Sequence, residues 1–212
     1  MSSNRNYSDS FLRHKQRAEN TQLTFPSDNS EPYNAAFTFS ELLNSLVATK
    51  NTAPGPDGIY YQMLKNLPRH VQEHLLAIYK KFWLASYFPP EWSRATVIPF
   101  AKPGRPHSDP RNYRPIALTS CICKTFERMI NVSLADYLEM HGILSSIQCG
   151  GRSNRSTTDH LVRLESVIRR AFVHGEHFIS VFFDLEKAYD MTWRWGILKD
   201  LHDIGLRGYL PR

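Results

Sequence analysis

Cysteine is scarce in this chain: Cys121, Cys123 and Cys149 are the whole supply. Three thiols form no even disulfide framework, and a chain of 212 residues needs none to hold a core. The simplest reading is a reducing, intracellular setting, in the cytoplasm, the nucleus or both, and not secretion. Cys121-x-Cys123 resembles half a zinc site, but no second Cys or His pair follows at finger-like spacing. These thiols read instead as small apolar residues in or near a helix. Long apolar runs are missing too. Nowhere do the roughly 18 consecutive apolar residues of a membrane helix occur, so no membrane association is expected. Met1 to Pro32 is rich in Ser, Asn, Arg and Glu and lacks the apolar stretch of a secretory leader. Walker-type and dinucleotide glycine motifs are absent, and no internal repeat is visible.

What is present is ordinary globular material. Hydrophobic residues make up 42% of the chain and charged residues 22%, which suits a packed core and not a disordered chain. Lys and Arg outnumber Asp and Glu by 26 to 20, a formal charge of +6. That balance suits a polyanionic partner without requiring one.

Residues 1–35 read as a disordered tail or linker, polar and without helical or strand period. Thr38 and Glu41 then stand at capping-box spacing, and Phe39, Leu42, Leu43, Leu46 and Val47 repeat on one helical face. Ala53-Pro54-Gly55-Pro56-Asp57-Gly58 is the densest turn signal in the chain. A short helix through Met63 and Leu64 follows, then an amphipathic helix through Val71, Leu75, Ile78, Tyr79 and Phe82 that stops before Pro89-Pro90. Ala95 to Phe100 predicts a short edge strand, given Pro99, and Ile116 to Leu118 a second apolar run. Ser120 can cap a long helix ending near Gly142. After a polar loop, Gln148 to Arg155, another helix runs from Ser156 to about Gly175. Phe178 to Leu185 reads as the clearest strand of all, and a last helical stretch starts near Trp193.

The segment richest in chemistry is Val181-Phe182-Phe183-Asp184-Leu185-Glu186-Lys187-Ala188-Tyr189-Asp190. An acid at the end of an apolar strand projects from a fixed backbone into a cleft, a common setting for Mg²⁺. The same Asp184 could equally cap the helix that follows. Spacing alone leaves both readings open.

Four ordered blocks bear on the choice. They are Ala53-Pro54-Gly55-Pro56-Asp57-Gly58-Ile59; Trp92 with Val97 to Gly104 and Asp109 to Leu118; Gln148 to Arg152 with Arg155 to Asp159; and Phe183 to Asp190. Together they resemble the motifs of non-LTR (LINE-type, jockey-like) retrotransposon reverse transcriptases, in that family's order. The resemblance implies an α+β fold: the fingers and partial palm of a right-hand polymerase, helix-rich. Residues 36–177 would be fingers, and residues 178–212 the first strand and helix of an incomplete palm.

By the same resemblance, Asp184 would be the first catalytic aspartate, a ligand to two Mg²⁺ ions together with the backbone carbonyl of Leu185. Those ions would activate the primer 3′-hydroxyl and stabilise the transferring phosphate. Tyr189 would lie under the incoming sugar and reject a 2′-hydroxyl, although a core tyrosine is the plain alternative. Lys102 and Arg114 would hold the nucleotide triphosphate. Gln148, Arg152 and Arg155 would touch template or nucleotide from a loop before a helix N-terminus. Asp190 would orient the loop, with Glu186 and Lys187 facing solvent. Cys149 and Gly151 depart from the pattern, which usually places aromatic residues there. The implied partners are an RNA template, a DNA primer and deoxynucleoside triphosphates.

The sequence holds no Asp-Asp pair. The resemblance therefore implies a chain truncated before the Asp-Asp hairpin and thumb, a fragment of an RNA-directed DNA polymerase with no polymerase activity of its own. A second reading is a non-catalytic module binding RNA or RNA–DNA duplex through Lys102, Arg111, Arg114, Arg152 and Arg155. A third, an unrelated phosphotransferase using Asp184 and Asp190, lacks the glycine loop it would need after the strand.

Overall fold

The computed structural model describes residues 8–185 and 188–212, with Asp190 described for its backbone alone. The expectations for Glu186, Lys187, the Asp190 side chain and residues 1–7 of the tail lie outside the described residues. In chain order the elements are α1 (Asp9–Glu19), α2 (Phe39–Val47), α3 (Tyr61–Lys65), α4 (Arg69–Leu84), β1 (Thr96–Ala101), β2 (Tyr113–Leu118), α5 (Cys121–Met140), α6 (Thr157–Val173), α7 (Ala188–Met191) and α8 (Arg194–Asp203). The mixture is α+β: helices with one two-stranded antiparallel sheet.

The chain divides into two compact units. One holds Ser27–Asp136, Arg207–Leu210 and Arg212, and contains the core. Leu42 and Leu46 from α2, Leu64 from α3, Leu76, Tyr79 and Trp83 from α4, and Phe126 and Met129 from α5 are all buried there. The helical spacing read from the sequence supplies Leu42, Leu46 and Tyr79; Leu76 and Trp83 lie off the face expected of α4, whose Ile78 is exposed, as is Val47 of α2. A capping box starts α2: the Glu41 N–H donates to the Thr38 hydroxyl (3.2 Å) while the Thr38 N–H donates to the Glu41 carboxylate (2.6 Å). Gly55 is glycine for space. A Cβ there would sit 2.5 Å from the backbone nitrogen of Ser120, so the 53–58 turn can lie against the start of α5.

Asn34 ties the unit's two chain segments together. Its carboxamide donates to the Arg207 carbonyl (3.0 Å) and accepts from the Tyr209 N–H (2.8 Å), while its carbonyl accepts from the Trp83 indole (3.2 Å). A side chain 2% exposed and so fully bonded is the structural reason residues 207–210 join this unit.

β1 and β2 pair from Thr96↔Leu118 to Ala101↔Tyr113, with Pro99 opposite Pro115. The two residues that cannot donate share one rung, which is how the ladder tolerates both. The strand predicted over 95–100 is present as β1, and the 116–118 apolar run forms the end of β2, which reaches back to Tyr113.

The other unit holds the described residues through Pro26, together with Tyr137–Leu206 and Pro211. Its buried side chains are small or few: Ala18, Cys149, Ala171 and Leu206. Two expectations are corrected here. Residues 9–19 form a helix and not a featureless tail: the Ser8 hydroxyl accepts from the Phe11 N–H, and Asp9 sits in the first turn. That helix meets α8, since the Phe11 ring lies edge-on to Trp193 (5.8 Å) and the Trp193 indole donates to Glu19 (2.9 Å). The second correction concerns Phe178–Leu185, which is irregular and exposed, not a strand. Its Phe, Ile and Val favour a strand only where neighbours exist to pair and pack with, and among the described residues none lies beside it.

Candidate functional site

Asp184 and Leu185 end the irregular segment, and Tyr189 follows in the one-turn α7. Tyr189 is 98% exposed. Asp184 is exposed as well, and Leu185 turns an apolar side chain to solvent.

A Mg²⁺ centre takes one or two carboxylates completed by phosphate oxygens and water. Among the described residues no three His, Cys, Asp or Glu side chains come together. Asp184 thus offers a single carboxylate, and the described donor set falls short of a two-metal centre.

The β1–β2 ribbon carries the two triphosphate candidates. Lys102 follows β1; its N–H donates to the Asn112 carbonyl (2.7 Å) and its ammonium to the Arg111 carbonyl (3.0 Å). Arg114 lies on β2 opposite Phe100, exposed and without an ion pair among the described residues. The loop between the strands fastens itself. Asn112 donates to the Pro106 carbonyl (2.8 Å), the Tyr113 hydroxyl to that of His107 (3.1 Å), and Arg111 pairs with Asp109 (2.8 Å). The Arg111 side-chain bond holds the Asp109 carboxyl below its usual range. Arg114 on β2, like Arg105 in the loop, is exposed and makes no ion pair among the described residues.

Gln148 and Arg152 are brought together in the other unit, but not as an open cradle. Arg152 donates to both oxygens of Glu139 (2.7 and 2.5 Å) and to the carbonyls of Ser145 (2.6 Å) and Gln148 (3.2 Å). Its side chain is only 8% exposed. The guanidinium fastens the 145–152 loop to the end of α5. Glu139 is held below the usual carboxylate range by the hydrogen bond from Arg152. The Gln148 side chain turns back to the Gly150 carbonyl (3.3 Å). Cys149 within the loop is buried. Arg155 stays exposed ahead of α6, whose first turn is closed by the Asp159 carboxylate accepting from the Ser156 N–H (2.6 Å).

Sequence reasoning passes over one group of cations, Lys50, Lys124 and Arg128, which line a single cleft. The available signal is the spacing of Lys124 and Arg128, two like charges one helical turn apart on α5.

Residues 101–210 match the family described as reverse transcriptase (RNA-dependent DNA polymerase). Among curated proteins, the chain is 35% identical over 164 residues to the probable RNA-directed DNA polymerase from transposon BS of Drosophila melanogaster, covering 77% of this chain and 18% of that protein. The corresponding protein from transposon X-element of the same species is 34% identical over 149 residues, 70% of this chain and 16% of its own length. The RNA-directed DNA polymerase from mobile element jockey, also of that species, is 28% identical over 177 residues, covering 83% of this chain and 19% of the relative. The chain therefore spans less than a fifth of the length of these three relatives. It belongs to the reverse transcriptase family, in the branch carried by non-LTR retrotransposons.

Proposed function

We propose that this chain is the fingers and the first palm segment of an RNA-directed DNA polymerase, with residues 36–177 in the first role and 178–212 in the second. It acts inside the cell on an RNA template, a DNA primer and deoxynucleoside triphosphates. The observation that carries the reading is the family match over residues 101–210, which takes in both the β1–β2 ribbon and Asp184.

In this reading Asp184 contributes one carboxylate, and the Leu185 carbonyl a second oxygen, to a Mg²⁺ centre whose other ligands come from outside the described residues. Tyr189 packs under the incoming sugar and excludes a 2′-hydroxyl, a role that its exposure on α7 leaves it free to take. Arg114 holds triphosphate oxygens through its guanidinium, and Lys102 adds a point charge beside it. Among the described residues Asp184 brings a single carboxylate to this centre, and in this reading the chain by itself extends no primer.

The test is a chimaera in which this chain replaces the aligned stretch of the X-element polymerase. Primer extension on an RNA template is the expected result. A chimaera that binds primer–template and makes no DNA would overturn the proposal. In the same protein, Tyr189→Ala is expected to raise ribonucleotide use relative to deoxyribonucleotide by on the order of tenfold or more. Unchanged discrimination would remove Tyr189 from the sugar site.

A further inference from the structure

The Lys50–Lys124–Arg128 cleft lies wholly within the core-containing unit and has a volume of about 540 Å³. Its walls are the residues just past α2, the 52–53 start of the Gly55 turn, Tyr61, and the Ile116–Leu118 end of β2. Three cations line it and no carboxylate does. None of the three forms an ion pair among the described residues. Glu127, the acid next to Arg128 in the chain, is turned to the Cys123 thiol one turn away; that thiol is pushed up to about 12, first by burial and then by this carboxylate.

Arg128 is incompletely used. One guanidinium nitrogen donates to the Ala48 carbonyl at the end of α2 (3.4 Å) and the group also bonds the Tyr61 hydroxyl in the cleft wall, while its buried Nε has no partner. Lys124 and Arg128 repel each other across one helical turn, an arrangement that costs stability unless an anion lies between them. The close fit of Gly55 against Thr119 and Ser120 keeps the turn pressed to α5, so the cleft keeps its shape.

We propose that this cleft binds the phosphodiester backbone of a nucleic-acid strand. Lys50 and Lys124 act as point charges, and Arg128 presents its guanidinium to a phosphate oxygen. The phosphate chemistry follows from the cleft itself. The choice of a polynucleotide as its source rests on the polymerase reading.

The experiment is fluorescence anisotropy of a labelled single-stranded RNA with the full chain across a salt series. Lys50→Gln/Lys124→Gln is expected to weaken binding on the order of tenfold and to lower the salt slope by about 0.7 per lost contact. Lys80→Gln/Lys81→Gln, an equal loss of charge on α4, is expected to change affinity less than about twofold. Equal losses in the two variants, or no loss in the first, overturn the site while leaving the polymerase reading intact. Failure of the unaltered chain to bind any RNA or RNA–DNA duplex counts against that reading itself. Inorganic phosphate displacing the RNA no better than chloride at equal ionic strength supports a polynucleotide occupant; selective displacement by phosphate assigns the cleft to a small anion and overturns it. Far-UV circular dichroism of both variants, expected to match the unaltered chain, guards against a folding defect.

Discussion

At the scale of single residues, three side chains make sharply different demands. Tyr79 is fully buried, and its hydroxyl donates to the Ile122 carbonyl (2.7 Å); burial pushes its phenol far up. Tyr79→Phe removes that bond with little change of shape, so a loss of about 1 kcal/mol is expected in a denaturant melt. Gly55→Ala meets backbone and not a flexible side chain, with Thr119 and Ser120 atoms 2.5 Å from the new methyl. A loss of about 2–3 kcal/mol is expected, and a neutral result would mean the turn is free to move away from α5. Glu139 supplies a pH dependence. Its pKa is lowered in the fold by Arg152, so its contribution is present above the ordinary value of 4.5 and is lost as pH falls through the lower folded value. Carboxyl chemical shifts followed against pH should place its midpoint below 4.5, and Arg152→Gln should move that midpoint up. Part of the core is legible at this scale: Leu42, Leu46 and Tyr79 lie on the faces read from the sequence, whereas Val47 and Ile78 on those faces are exposed and Leu76 and Trp83 are buried in their place. Asn34 is not legible: nothing local marks an asparagine whose partners stand more than 170 positions away.

At the scale of elements, what was readable depended on where each element finds its partners. α2, α4 and α5 carry their capping and apolar periodicity with them and bury one another's faces. β1 and β2 were readable because each is the other's neighbour. Phe178–Leu185 has the strongest strand composition in the chain and is not a strand, since composition cannot supply a neighbour. The same limit appears in α6, where the helix forms but Leu161 and Phe172 on its expected buried face stay exposed. The 178–185 segment leaves Phe183 92% exposed. Phe183→Glu is therefore expected to leave the melting free energy within about 0.5 kcal/mol of the unaltered chain while raising solubility. A large destabilisation would show that this segment packs where the structure shows it open. The site follows the same logic. The ribbon and loop residues were found from motifs, whereas the commitment of Arg152 to Glu139 required knowing that the 145–152 loop folds back on α5.

At the scale of the whole molecule, the chain carries a formal charge of +6, and its reading as part of a polymerase makes that charge purposeful. In our proposal a polyanion is met by Arg114 on the ribbon and by the cleft of Lys50, Lys124 and Arg128. Among the described residues no three His, Cys, Asp or Glu side chains come together, and in our proposal Asp184 acts with ligands beyond them. The most direct measurement is the rate of RNA-templated primer extension by the X-element chimaera with and without Asp184→Asn. The account predicts a fall of about a hundredfold or more with primer–template affinity unchanged. Extension at an undiminished rate would contradict it, and would show that Asp184 is not a catalytic carboxylate.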